Sequence, residues 1–136
     1  MSNAPRAIIE TCLYVKDLDR AKRFYCDVLS LELHSELEER HLFFRVGRGM
    51  LLLFIADRTD DEDASLPRHG TRSNTHIAFE IGEDEVDMWK EKLSSKGDEI
   101  EKEHLWPTGG VSLYFRDPSG NSLEVTTAKT WGIDKV

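Results

Sequence analysis

An internal repeat constrains the fold of this 136-residue chain more than any other feature. The segment "GRGMLLLF" at 47–54 corresponds to "PSGNSLEV" at 118–125, 71 positions later. An apolar stripe with helical spacing also recurs, 65 positions later. A repeat of about 65–70 residues exceeds the length of solenoid repeats, so the pattern predicts two copies of one module. The two stripes are Ala21, Phe24, Val28 and Val86, Trp89, Leu93.

Alternating apolar residues and turn signals give both copies the order β-α-β-β-β. Asp17 is the expected N-cap of the first helix, and Gly97 the signal that ends the second. The first copy is predicted to have strands at 7–15, 31–37, 41–46 and 50–55 and a helix at 18–29. The second is predicted to have strands at 75–81, 99–104, 111–116 and 121–127 and a helix at 83–95.

This order predicts an α+β fold of two βαβββ modules whose curved mixed sheets enclose a cleft. Each module would leave one sheet face uncovered, and burying the two faces against each other would stabilise both. The modules are placed at 5–56 and 75–127, with a tail at 128–136. The acidic, polar segment 57–74 between them is expected to be a linker or mobile loop.

Charge and composition narrow the classes of partner. The formal net charge is −8 and the Lys and Arg residues form no basic stripe, which argues against nucleic acid and anionic membranes as partners. No apolar run approaches the roughly 18 residues of a membrane span. The N-terminus has no signal-peptide core, so a cytoplasmic location is expected. The two cysteines form neither a metal-type CxxC spacing nor a disulfide framework.

The repeat makes particular polar positions equivalent. Glu10 and His76 occupy the same place in the first strands, while Leu53 and Glu124 are matched in the last strands. If both sheets face one cavity, Glu10, His76 and Glu124 converge there, with Leu53 as an apolar wall. Two carboxylates and an imidazole need a positive charge among them, and one divalent metal ion would supply it. The oxygen-rich ligand set favours Mn, Fe or Ni, with Zn possible.

The same residues also have simpler interpretations that involve no metal. Glu124 alone would be a solvent-facing acid of a half-wet strand, and His76 alone a hydrogen-bonded core histidine. The three residues could also line a pocket that holds no metal. Cys12 lies two residues after Glu10 on the same strand face, either as core filler or as a pocket thiol. Arg45 is either a rim salt bridge or a clamp for an anionic substrate group.

Three stretches identify a family resemblance: "CLYVKDLDRAKRFYCDVLSLEL" at 12–33, "HIAFEI" at 76–81 and "SLYFRDPSGNSLEV" at 112–125. Over roughly 7–127 the chain resembles the vicinal oxygen chelate superfamily, the glyoxalase, bleomycin resistance and extradiol dioxygenase group. The resemblance implies paired βαβββ modules, usually as a homodimer. It also implies a metal at the positions of Glu10, His76 and Glu124.

Departures from the family pattern bear on the activity. Glyoxalase I has four metal ligands, and the one from the first module's last strand would fall at Leu53, which cannot bind a metal. Extradiol dioxygenases and fosfomycin-modifying enzymes have His where this chain has Glu10. Fosfomycin transferases hold substrate with a Ser and a Tyr that match Ser112 and Tyr114. Their Thr after the first ligand is replaced by Cys12, and their later Arg has no counterpart at 125–136.

These observations predict a divalent-metal-dependent enzyme acting on a small substrate that chelates the metal through neighbouring oxygens. Lyase, isomerase, transferase and dioxygenase chemistry all remain open, and Glu10 or Glu124 could double as a general base. The alternative is a bleomycin-resistance-type protein that sequesters a small molecule without turnover. A third possibility is a protein that keeps the fold without activity.

Overall fold

A computed structural model describes residues 3–133 of the chain. The chain divides between Ser73 and Asn74 into two compact units. The last part of the predicted tail, at 134–136, lies outside the described residues. Among residues 3–133 no helix is long and apolar enough to span a membrane.

The first unit is a βαβββ module followed by a short helix. Its four strands form one mixed sheet in the order β1-β4-β3-β2, in which β1 and β4 are parallel and the other neighbours antiparallel. The elements are β1 Glu10–Tyr14, α1 Leu18–Asp27, β2 Glu32–Leu37, β3 His41–Val46, β4 Gly49–Phe54 and α2 Ala56–Thr59.

The second unit repeats this topology with the strand order β5-β8-β7-β6, and β5 and β8 are its parallel pair. Two four-stranded mixed sheets with a few helices confirm the predicted α+β class and its βαβββ modules. The elements are β5 His76–Ile81, α3 Val86–Ser95, β6 Lys102–Leu105, β7 Val111–Arg116 and β8 Ser122–Thr127, with 3₁₀ turns at Glu83–Glu85 and Ala128–Trp131.

The helix boundaries have the local causes expected from the sequence. The Asp17 carboxylate accepts a hydrogen bond from the backbone N–H of Arg20 at 3.1 Å, which caps α1. Beyond α3, Gly97 adopts a φ of +78° and its N–H bonds to the carbonyl of Ser94. A residue without a Cβ adopts this left-handed conformation at least cost, so the chain can leave the helix there.

One face of each sheet is buried in a hydrophobic core. In the first unit, Tyr25 of α1 packs against Phe44 of β3 with ring centroids 5.8 Å apart, and both side chains are fully buried. In the second unit, Leu93 of α3 is fully buried, as are alternate residues of β7 and β8. Because side chains alternate across a strand, the intervening residues face the other way. The buried residues of β7 and β8 on this face include Leu113, Phe115, Leu123 and Val125.

Sheet register shows that one predicted equivalence is wrong by one residue. Cys12 lies beside Leu52 on β4, and at the same place in the second unit Ala78 lies beside Glu124 on β8. The counterpart of Glu124 is therefore Leu52. Leu53 lies on the opposite face and is fully buried. A one-residue shift moves a strand position to the other face, and aligning the turns rather than the strands produced that shift.

The segment predicted as a linker or mobile loop folds onto the first unit. It begins within α2, and Arg72 pairs with Asp57 at 2.7 Å and with Asp60 at 2.8 Å. Farther along, Nδ1 of His69 is hydrogen-bonded to the Tyr14 hydroxyl at 2.5 Å. The Arg72 pairs hold the segment to itself, the His69 contact ties it to the end of β1, and its residues up to Ser73 group with the first unit.

Candidate functional site

The second unit brings His76 and Glu124 together. They lie on neighbouring parallel strands, and Nε2 of His76 is 3.1 Å from Oε1 of Glu124. The side chain of Glu124 is 9 % exposed, while that of His76 is 49 % exposed. The pair therefore has a buried acidic member and a member that reaches solvent, which makes it accessible to a small ligand or ion.

Hydrogen bonding orients the His76 ring. Its Nδ1 is 2.9 Å from the backbone carbonyl of Ser122 and 3.2 Å from the Ser122 hydroxyl. A carbonyl only accepts hydrogen bonds, so Nδ1 carries a hydrogen and donates it. In the neutral ring this leaves the lone pair of Nε2 directed at Glu124. Metal-binding histidines commonly have this arrangement, in which the other ring nitrogen donates to a backbone carbonyl.

The geometry of this pair fits a cation. A lone pair on Nε2 opposite a carboxylate oxygen at 3.1 Å is repulsive unless a proton or metal ion lies between the atoms. Metal bonds to His nitrogen and carboxylate oxygen are about 2.1 Å, which places neighbouring ligands at right angles about 3 Å apart. The pair therefore suits two adjacent protein ligands of a divalent ion.

A chain of hydrogen-bonded hydroxyl groups contacts the oxygen of Glu124 that does not face His76. Ser112 is fully buried and its Oγ lies 2.5 Å from Oε2 of Glu124. The same Oγ is 2.8 Å from the indole Nε1 of Trp106 and 2.7 Å from the hydroxyl of Thr126, which is 2.8 Å from that of Thr130. The Glu124 carboxylate thus has one oxygen toward His76 and the other toward this chain.

Tyr114 completes this part of the site. It lies beside Glu124 in the β7–β8 ladder, and its ring stacks on that of His76 with centroids 6.2 Å apart. Burial and then the charge of Glu124 raise the pKa of the Tyr114 phenol above its ordinary value. The phenol keeps its proton at neutral pH, and this hydrogen can be donated to Glu124 or to a ligand oxygen.

The turn before β8 sets the position of His76. The Asp117 carboxylate accepts hydrogen bonds from the backbone N–H groups of Ser119 and Asn121, at 3.0 and 2.8 Å. The buried Asn121 amide oxygen accepts from the N–H of Thr75 at 3.0 Å, directly before His76. Asp117 and Asn121 both lie in the stretch 112–125 that carries part of the family resemblance. No local pattern in that stretch indicated that Asn121 links the turn to the start of β5, 46 residues earlier.

The other predicted site residues lie in the first unit. Glu10 and Arg45 flank Met50 in one row of the sheet, and Cys12 is on the same face two residues along β1. All three predicted residues are exposed. Burial and then the charge of Glu10 raise the pKa of the Cys12 thiol, which opposes thiolate formation.

The metal ligand set predicted from the sequence is divided between the units. His76 and Glu124 meet in the second unit, and Glu10 is carried by the first. Within the part of the chain that the structure describes, no group of three or more His, Cys, Asp or Glu side chains could hold a metal ion. The role of Glu10 as a ligand remains a prediction.

A cluster at the end of the first sheet was missed. The ring of His69 lies against Phe54, centroids 5.0 Å apart, and His41 stacks on Phe43 at 3.8 Å. Tyr14, Phe54 and His41 form one row across β1, β4 and β3. The sequence showed His69 only as a loop histidine, because the long-range contact with Tyr14 leaves no local pattern.

The chain is similar to known proteins of one superfamily. The model of the Glyoxalase/Bleomycin resistance protein/Dioxygenase superfamily matches residues 7–125. The metallothiol transferase FosB of Shouchella clausii is 34% identical over 115 residues, which are 83% of this chain and 74% of that protein.

Two solved structures show the same fold. The crystal structure of lactoylglutathione lyase from Agrobacterium tumefaciens has a TM-score of 0.91 and 44% identity, over 95% of this chain and 98% of that one. The fosfomycin resistance protein FosX of Listeria monocytogenes, in complex with Mn(II) and a sulfate ion, has a TM-score of 0.68 and 23% identity, over 91% of each chain.

Proposed function

The chain belongs to the glyoxalase/bleomycin resistance protein/dioxygenase superfamily, and on that premise we propose a divalent-metal-dependent enzyme acting on a small substrate through its neighbouring oxygens. The observation that carries the proposal is the His76–Glu124 pair, whose facing atoms are 3.1 Å apart. The alternative of a bleomycin-resistance-type binding protein gains no support from the relatives described above, one of which is a transferase and another a lyase.

Three side chains of this protein are proposed as ligands: Glu10, His76 and Glu124. Three protein ligands would leave positions for substrate oxygens. The bound ion would supply Lewis-acid polarisation of those oxygens. Manganese is the first ion to test, because the Listeria structure of the same fold contains Mn(II) and because the donor set is rich in oxygen.

Other side chains are proposed to bind and orient the substrate. The Tyr114 phenol, protonated at neutral pH, would donate a hydrogen bond to a substrate oxygen next to His76. Arg45 is exposed, and its guanidinium would pair with an anionic substrate group. Cys12 would contact substrate as a neutral thiol, since its raised pKa makes it a poor nucleophile.

The reaction class proposed first is transfer of a thiol to the substrate, because the 34%-identical relative is a metallothiol transferase. Lyase chemistry is the second candidate, because the 44%-identical structure is a lactoylglutathione lyase. Leu52 takes the place of Glu124 in the first module, and a leucine cannot provide a fourth ligand. That difference favours the transferase over a lyase with four protein ligands.

The test is metal-dependent turnover. Protein stripped by a chelator would receive Mn²⁺, Fe²⁺, Ni²⁺ or Zn²⁺, and then either fosfomycin with glutathione or lactoylglutathione alone. Mass spectrometry would follow the loss of each substrate. We expect conversion of one substrate class only with metal, loss of activity in Glu124→Gln, and retention in the control Glu91→Gln, an exposed carboxylate of α3. Metal-independent conversion in every variant would contradict the proposal.

A homodimer is also proposed, because the family resemblance implies one. Light scattering on purified protein would give about twice the chain mass of 15.6 kDa. Metal-loaded protein that stays monomeric at micromolar concentration would contradict this part.

A further inference from the structure

Ser112 holds a hydroxyl group directly behind the metal-facing carboxylate. Its side chain is fully buried, and its Oγ is 2.5 Å from Oε2 of Glu124. A hydroxyl has one hydrogen to donate and two lone pairs that accept. One neighbouring group can only accept a hydrogen bond and another can only donate one, so a partner can be assigned to the hydrogen and to each lone pair.

The three groups closest to the Ser112 hydroxyl account for its hydrogen and both lone pairs, and the Tyr114 phenol is a further neighbour. Its hydrogen goes to the Glu124 carboxylate, which only accepts, and one lone pair accepts from the indole N–H of Trp106, which only donates. Thr126, at 2.7 Å, must then be a donor to the remaining lone pair. Thr126 also lies 2.8 Å from the Thr130 hydroxyl, which can donate to it, and 3.3 Å from the carbonyl of Val111.

From this count we infer that Ser112 is a positioning residue, which turns Oε2 of Glu124 inward and so presents Oε1 beside Nε2 of His76. The inference rests on the proposed function, because the orientation matters for a metal held by that oxygen. The Ser112 side chain is fully buried, and its closest partners already use its hydrogen and both lone pairs. Ser112 therefore acts through Glu124, a different role from the substrate contact implied by the family resemblance.

The first module provides an internal comparison. Where β7 and β8 pair Ser112 with Thr126, β3 and β4 pair His41 with Phe54. The counterpart of Glu124 there is Leu52, which needs no hydrogen bond. The hydroxyl chain is thus present in the module that has the carboxylate, and aromatic packing replaces it in the module that lacks one.

The test measures Mn²⁺ affinity by calorimetry or electron paramagnetic resonance on full-length protein. Outer-sphere groups that orient a ligand typically change metal affinity 10–100-fold when removed, so Ser112→Ala should weaken binding by about that factor. Ser112→Thr keeps the hydroxyl and should restore most of it. The control is Thr127→Val, which removes a buried hydroxyl bonded to the N–H of Val111 on the opposite face of β8.

A second readout needs no metal. In ¹⁵N-labelled apoprotein the indole N–H signal of Trp106, assigned with Trp106→Phe, reports its bond to Ser112. We expect this signal to shift in Ser112→Ala and also in Glu124→Gln, because Glu124 orients the shared hydroxyl. The signal should not shift in Thr127→Val.

The outcomes separate this inference from the proposed function. If wild type binds Mn²⁺, Glu124→Gln does not, and Ser112→Ala binds as wild type does, the positioning role is overturned and the proposed function stands. If wild type binds no divalent ion, the proposed function falls, and the indole signal decides the positioning role. An indole signal unchanged by Glu124→Gln would overturn that role.

Discussion

His76 and Glu124 face each other across neighbouring parallel strands, with 3.1 Å between Nε2 and Oε1. Each atom is held by a separate support. The Ser122 carbonyl fixes the ring of His76, and Ser112 holds the other oxygen of Glu124. The pair is thus preorganised, so a cation entering between the two atoms would need little rearrangement of either side chain.

The register of the first sheet predicts different effects for two adjacent leucines. Leu52 lies beside the exposed Cys12 on the face of the sheet that corresponds to that of Glu124. Leu53 lies beside the buried Leu13 in the core. We expect Leu53→Glu to abolish folding, at a cost above roughly 4 kcal/mol, because an unpaired charge would be buried.

Leu52→Glu should remain folded with a moderate loss of stability, since Leu52 is buried but lies beside the exposed Cys12 rather than in the centre of the core. Circular dichroism and urea unfolding of both variants measure the difference. Equal loss of folding in the two variants would contradict the register described for β4.

The Asn121 side chain is predicted to stabilise the second unit and to position His76. Asn121→Ala removes the acceptor for the N–H of Thr75 and the amide donor to Asp117, both of which are buried or partly buried. Leaving those partners unsatisfied should lower the free energy of unfolding by roughly 2–4 kcal/mol. Urea unfolding measures the loss. The control is Asn74→Ala at an exposed position, and a loss no larger in Asn121→Ala would contradict the account.

Stability should fall with acidification because of His41. Burial and then the charge of Arg40 lower the pKa of His41 below its ordinary 6.5. The unfolded chain therefore binds a proton more readily than the folded one. The resulting stabilisation is fully present above about pH 6.5 and is lost as the pH falls through the folded-state pKa.

The measurement is the urea midpoint at pH 7.5 and at pH 5.5. We expect His41→Gln to reduce the difference between the two midpoints, since it removes this proton-linked term. His34→Gln, at an exposed histidine of β2, should retain the wild-type difference. An undiminished difference in His41→Gln would show that other groups cause the pH dependence.

The periodicity of the sequence was enough to predict both modules. Local signals such as the Asp17 cap and the Gly97 terminator set the helix ends, and alternation identified the strands. β3 and β7 were predicted with the observed bounds. The equivalence of Leu53 with Glu124 was wrong because the repeat was aligned through turns of different length.

The site was predictable in its residue types and less so in its contacts. The repeat indicated His76 and Glu124, which the structure places together. The support by Trp106 and Thr126, and the bond between His69 and Tyr14, connect distant strands and loops. Such contacts depend on tertiary packing, and neither spacing nor alternation encodes them.

The metal content of the purified protein tests most directly whether Glu10, His76 and Glu124 bind a divalent ion. Untagged wild type would be compared by elemental analysis with Glu10→Gln, His76→Ala and Glu124→Gln, all with folding checked by circular dichroism and with Glu91→Gln as the control. The account predicts near one equivalent of Mn, Fe, Ni or Zn in wild type and control, and a loss in each of the three ligand variants. Wild type that binds none of these ions after dialysis against each, or that binds metal equally without Glu124 and His76, would contradict the account.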